Sequence, residues 1–60
     1  MDCFTNFEIM ENFNGDLLRI EEYNNIISVF INDKLIKQYN NKDVVFDQVT
    51  TKYYKRGFRF

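Results

Sequence analysis

The sixty-residue sequence has no histidine, proline, tryptophan or alanine, a single cysteine and two glycines. Each shortage removes a class of protein. Without histidine no imidazole base is available to activate a nucleophile, and Ser28 falls inside a strand-like run between Ile27 and Val29. Zinc needs about four Cys, His or carboxylate ligands, and Cys3 alone cannot form an intrachain disulfide. Cys3, beside Asp2 and with no neighbouring base, reads as a small apolar side chain and not as a reactive thiol. No stretch approaches the ~18 apolar residues of a membrane span, and no basic segment followed by an apolar run opens the sequence. The expectation is a soluble, cytoplasmic, non-enzymatic protein with no cofactor, no metal and no membrane partner.

What is present is bulky. The apolar set makes up 45% of the chain and is led by 7 Phe and 4 Tyr, with Ile and Val next, a composition that favours strands. A chain of this length buries only about 60% of the surface its unfolded form exposes, so a lone monomer is marginal. With disulfides and zinc excluded, self-association is the remaining source of stability, and a homodimer is expected.

The formal net charge of −1 argues against nucleic-acid binding by bulk electrostatics. The distribution is uneven. Residues 1–24 hold Asp2, Glu8, Glu11, Asp16, Glu21 and Glu22 against Arg19 alone, whereas residues 25–60 hold seven bases and three acids.

Asn14-Gly15 is the strongest turn signal, because a type I′ hairpin needs positive φ at both central residues. Asn24-Asn25 and Asn32-Asp33 are weaker versions of it. These dipeptides, followed by Asn40-Asn41, separate runs rich in Ile, Phe and Val at the spacing of an antiparallel meander, with strands expected at 4–13, 16–23, 26–31 and 34–39. Two-residue turns throughout would align Ile9, Ile20, Val29 and Ile36 in one aliphatic row, with Phe7, Phe13, Leu18, Ile27 and Ile31 on the same face. After Asn41, Val45, Phe46, Val49 and Tyr53 share a helical arc. Asn41 or Asp43 is placed to cap its start, Lys55 and Arg56 suit its last turn, and Gly57 suits the position after it. The fold expected is therefore α+β, a four-stranded antiparallel meander followed by one C-terminal helix. The alternative is all-β, a five-stranded small barrel or sheet.

Three surfaces are candidates for function. Tyr23, Ile26, Phe30, Leu35 and Tyr39 would form an apolar outer face suited to a dimer or partner interface. Glu8 and Glu21, directly opposed in the expected register, with Glu11 and Glu22, would form an acidic surface for a basic partner or a hard cation. Lys52, Tyr54, Lys55, Arg56 and Arg59 interleave cations and aromatics as single-stranded nucleic-acid binders do. In size and in its Asn, Ile and Lys content the chain resembles short proteins encoded by phages and mobile elements of AT-rich bacteria. That resemblance implies a stoichiometric inhibitor of a host defence enzyme, with a host protein as partner. A small nucleic-acid binder and an accessory subunit of a larger complex are the rival readings.

Overall fold

The computed structural model describes residues 4–60, so Cys3 and its reading lie outside the described residues. Strands β1 (Asn6–Glu11), β2 (Leu17–Tyr23), β3 (Ile26–Ile31) and β4 (Lys34–Asn40) form one antiparallel sheet in chain order, and helix α1 (Phe46–Tyr54) follows. This is the α+β meander expected from the turn spacing, with the segment after Asn41 helical.

Two turns have the expected geometry. Asn24 and Asn25 (φ 53° and 70°) join Tyr23 to Ile26, and Asn32 and Asp33 (φ 51° and 68°) join Ile31 to Lys34. Both are two-residue turns with positive φ at each central residue, which Asn and Asp tolerate because their short side chains bond locally. Asn14-Gly15, the stronger signal, behaves differently: only Gly15 has positive φ (82°). Asn12 pairs with Asp16, its backbone N–H donating to the Asp16 carbonyl (3.2 Å), and Gly15 N–H donates to the Asn12 carbonyl (3.1 Å). Phe13, Asn14 and Gly15 thus form a three-residue loop of the type closed by a left-handed glycine. The Asn12 side chain decides this, its Oδ1 accepting from the N–H groups of both Asn14 (3.0 Å) and Asp16 (2.9 Å).

One additional loop residue reverses every side chain of β1. Ile9 pairs with Arg19 and not Ile20, Glu8 pairs with Ile20 and not Glu21, and Phe7 takes the place opposite Glu21. The expected pairing of Ile20 with Val29 is found. A bulge after Phe30↔Leu35 shifts β4, so Val29 meets Lys37 instead of Ile36, and Ile27 meets Tyr39. The covered face therefore has three rows: Met10, Leu18, Ile31, Lys34; Glu8, Ile20, Val29, Lys37; and Asn6, Glu22, Ile27, Tyr39. Phe7 and Ile9, expected among these, lie on the opposite face. Phe13 is fully solvent-exposed in its loop, and Ile36 is about half exposed at the bulge.

Helix α1 covers this face. Met10, Leu18, Ile20, Ile27 and Val29 form one buried cluster with Val49 and Tyr53 of α1 and with Phe58. Neither Asn41 nor Asp43 caps the helix. Val45 occupies that position, its N–H donating to Gln48 Oε1 at 3.0 Å. The far end closes as the glycine suggested: Gly57 has φ 108°, its N–H donates to the Tyr54 carbonyl and Phe58 N–H donates to the Tyr53 carbonyl (3.1 and 3.2 Å). This reversal returns the Phe58 ring edge-on to Tyr53, with centroids 6.2 Å apart. Arg59 then exchanges two backbone hydrogen bonds with Glu11, closing that end of the outer edge of β1.

Candidate functional site

The face of the sheet away from α1 carries a set of half-exposed apolar side chains. One row runs Ile9, Arg19, Phe30, Leu35, flanked by Glu11 and Leu17 on one side and by Phe7, Glu21, Ser28 and Gln38 on the other, with Tyr23 and Ile26 beyond. Phe4 adds to one end, 5.6 Å from the Phe7 ring and 6.0 Å from that of Tyr23. Phe7 and Ile9 are each 46% exposed, against 0% for Leu18, Ile20, Ile27 and Val29 on the covered side. Arg19 lies across the middle, its guanidinium 4.3 Å from the Phe30 centroid, 2.8 Å from Glu21 Oε2 and 3.0 Å from Asp33 Oδ1. The contact with Glu21 is an ion pair without hydrogen-bond geometry at Nε.

Of the five side chains expected on this face, Tyr23, Ile26, Phe30 and Leu35 are there. Tyr39 is not. The bulge turns it to the helix side, where it packs against the core. Leu17 lies beside those four, while Phe7 and Ile9, expected on the helix side, and Phe4 also belong to this face. The signal that could have placed Phe7 and Ile9 was the potential of Asn12 and Asp16 to close an odd-numbered loop.

The acidic surface is not assembled. Glu11 and Glu21 lie on the open face, Glu8 and Glu22 on the covered one, and Glu8 no longer opposes Glu21. Glu22 is buried, with Asn6 Nδ2 donating to one oxygen (2.7 Å) and Asn41 Nδ2 to the other (2.8 Å). These two amides hold its carboxyl below the ordinary glutamate range. Asp16 is held low in the same way by Asn12 and Asn32. Among the described residues no group of three or more metal-ligating side chains converges.

The basic tail divides in two. Arg59 stacks on Tyr54 at 3.9 Å and donates to the carbonyls of Tyr54 and Phe58, so both side chains serve the chain reversal. Lys52, Lys55 and Arg56 lie on another flank of α1, with Gln48, Thr51 and Asp47 beside them. There Lys52 Nζ donates to Tyr39 Oη (3.2 Å), and the Tyr39 ring lies 5.7 Å from Lys52 and 5.6 Å from Lys37. Arg56 lies 5.4 Å over the ring of Tyr53, whose hydroxyl is pushed up by burial and by Tyr39. Among the described residues no carboxylate lies within ion-pair distance of Lys34, Lys37, Lys52, Lys55 or Arg56. The uneven charge of the sequence thus becomes spatial. One covered row begins at Glu8 on β1 and ends at Lys37 on β4.

The chain matches no family model, no curated protein and no solved structure. No helix among the described residues is long and apolar enough to cross a membrane.

Proposed function

We propose that this chain is a non-enzymatic, cytoplasmic binding protein that acts stoichiometrically by surface contact, and that its uncovered sheet face is sealed by a second copy in a two-fold dimer. The observation that carries the reading is the apolar face built from Phe4, Phe7, Ile9, Leu17, Ile26, Phe30 and Leu35, which helix α1 leaves uncovered among the described residues. Aromatic-rich surfaces of this kind are typical interface centres. A standard interface takes about 800 Å² per partner, which is under a fifth of the 4470 Å² surface of the chain. One broad face is enough to supply it. The charges also suit a second copy. Arg19 and Glu21 are neighbours at the centre, so a two-fold axis through them sets each cation against the other chain's anion.

The compositional resemblance to phage and mobile-element proteins supports the same class, a stoichiometric inhibitor of a host enzyme. The acidic set adds no single docking surface to that picture, since it is split between two faces.

Sedimentation equilibrium at low micromolar concentration tests the interface, with Ile9→Glu as the probe. That substitution places a carboxylate opposite Arg19, which keeps the protomer folded while charging the centre of the face. The wild type is expected as a dimer and the variant as a folded monomer. A folded wild-type monomer, or a variant that remains dimeric, overturns the proposal.

A further inference from the structure

On the opposite side of the molecule, β4 and α1 border a recess of about 200 Å³ lined by Tyr39, Val44, Gln48, Val49 and Lys52. Its walls are one aromatic ring and two aliphatic side chains. Gln48 stands at its rim with a divided role. Its Oε1 accepts the Val45 N–H, which leaves the two amide N–H donors for another acceptor. That volume leaves room for one planar ring.

Lys52 lines this recess, and two further cations lie near its walls. Lys37 reaches the Tyr39 ring from β4 and Lys52 from α1, and Arg56 follows one helical turn beyond Lys52. None of the three has a carboxylate within ion-pair distance among the described residues. Lys34 extends the positive edge along β4 and Lys55 along α1. An acidic peptide would satisfy the cations and leave an apolar recess with an amide rim unfilled. A nucleic-acid strand uses both, because each of its units presents a flat heteroaromatic ring with acceptors at its edge beside a phosphate.

We infer that the β4–α1 cleft binds single-stranded nucleic acid, one base entering between Tyr39, Val44 and Val49 while Lys37, Lys52 and Arg56 hold the flanking phosphates. The site differs from the basic tail read from sequence. It omits Tyr54 and Arg59, which the chain reversal occupies, and takes Lys37 and Tyr39 from a strand the tail does not include. It stands independently of the sheet-face dimer. If that dimer forms through the open faces, it carries two such clefts on its outer sides, and a long strand can engage both.

With a net charge of −1 on the chain, affinity must come from the local cluster and fall steeply with salt. Three phosphate contacts on a single strand give a log–log salt slope of about −2. Anisotropy of a fluorescent oligothymidylate, titrated with the full chain from low to physiological ionic strength, measures this. Lys37→Gln combined with Lys52→Gln is expected to weaken low-salt binding by roughly tenfold or more. Gln48→Glu retains an acceptor for Val45 N–H and so retains the helix start. It is also expected to weaken binding, because it removes the amide donors and adds a negative charge at the recess. Dichroism and thermal melts confirm that each variant folds.

No anisotropy change at the lowest salt overturns the inference. So does unaltered binding by folded Lys37→Gln/Lys52→Gln, or displacement of the oligonucleotide by poly-glutamate as effectively as by unlabelled strand. The monomeric Ile9→Glu protein separates the two proposals. It should bind a short oligonucleotide that spans one cleft as the wild type does, whatever the fate of the dimer.

Discussion

The two faces of the sheet carry apolar side chains in equal number and meet opposite fates. Met10, Leu18, Ile20, Ile27, Val29, Ile31 and Tyr39 point towards α1; Phe7, Ile9, Leu17, Tyr23, Ile26, Phe30 and Leu35 point away. The difference lies in where each face keeps its charge. On the covered side Glu8, Lys34 and Lys37 stand at the edge strands, and the one interior carboxylate, Glu22, is bonded to two amides. The open side places Arg19 and Glu21 at its centre. A helix laid there would have to desolvate both ions for an incomplete bond. Apolar content makes a face stick to something; the position of its ions selects what.

The largest expected effect separates the faces by truncation. Ile20→Ala removes a fully buried side chain from the core and should cost roughly 2–5 kcal/mol, enough to abolish cooperative unfolding in a chain this small. Ile9→Ala should cost under about 1 kcal/mol in the monomer. Urea titrations at several protein concentrations measure both, and equal losses at high dilution would erase the distinction.

Next in size is the contrast between adjacent glutamates. Glu22→Ala leaves the Asn6 and Asn41 amides without their acceptor and should cost about 1–3 kcal/mol, whereas Glu21→Gln on the open face should change monomer stability by less than about 0.5 kcal/mol. The same pair gives a pH dependence. The folded-state pKa of Glu22 lies below its unfolded value, so the unfolded chain binds more protons in acid. The stabilisation is complete above the ordinary glutamate pKa of about 4.3 and is lost as pH falls through the lower folded value. Thermal melts across this window should show a shallower acid decline in Glu22→Gln than in wild type.

Gly57→Ala should cost about 1–2 kcal/mol, the penalty of left-handed backbone for a residue with a Cβ. Space is not the obstacle, since nothing lies within 4 Å of where that Cβ would stand. Because the loss acts through Phe58 on the covered side, sedimentation of the folded variant should show an unchanged oligomeric state. Smallest of all is deletion of Phe13. It converts the loop to a two-residue Asn-Gly turn between Asn12 and Asp16 without altering the Glu11 and Leu17 pairing, and should shift stability by less than about 1 kcal/mol. Interstrand nuclear Overhauser contacts would reveal any slip that carried Ile9 to the helix side.

Element order was readable because it depends on local chemistry. Paired Asn and Asp residues supply the turns, β-branched runs the strands, and Gly57 after a periodic arc the helix end. Which side of the sheet each residue occupied was less readable, because strand periodicity turns one miscounted loop residue into a complete reversal of β1. Of the Asn12 bonds, the one to Asn14 N–H is local but the one that closes the loop forms only once Asp16 has come back beside it, and the β4 bulge has no marker such as glycine at Leu35 or Ile36. Those two local events moved Ile9 outward and Tyr39 inward. They accordingly redrew the apolar surface, divided the glutamates and brought Lys37 up to the helix.

The clasp between Glu11 and Arg59 also orders events in time. Arg59 is synthesised after every strand it closes, and Phe58 takes its place in the interior only when the same reversal forms. The β2–β3–β4 meander is joined by tight local turns and pairs without that clasp. The first strand cannot be locked along its edge until Arg59 is free to reach it, so a nascent polypeptide exposes greasy surface on both sides for as long as its own latch is missing.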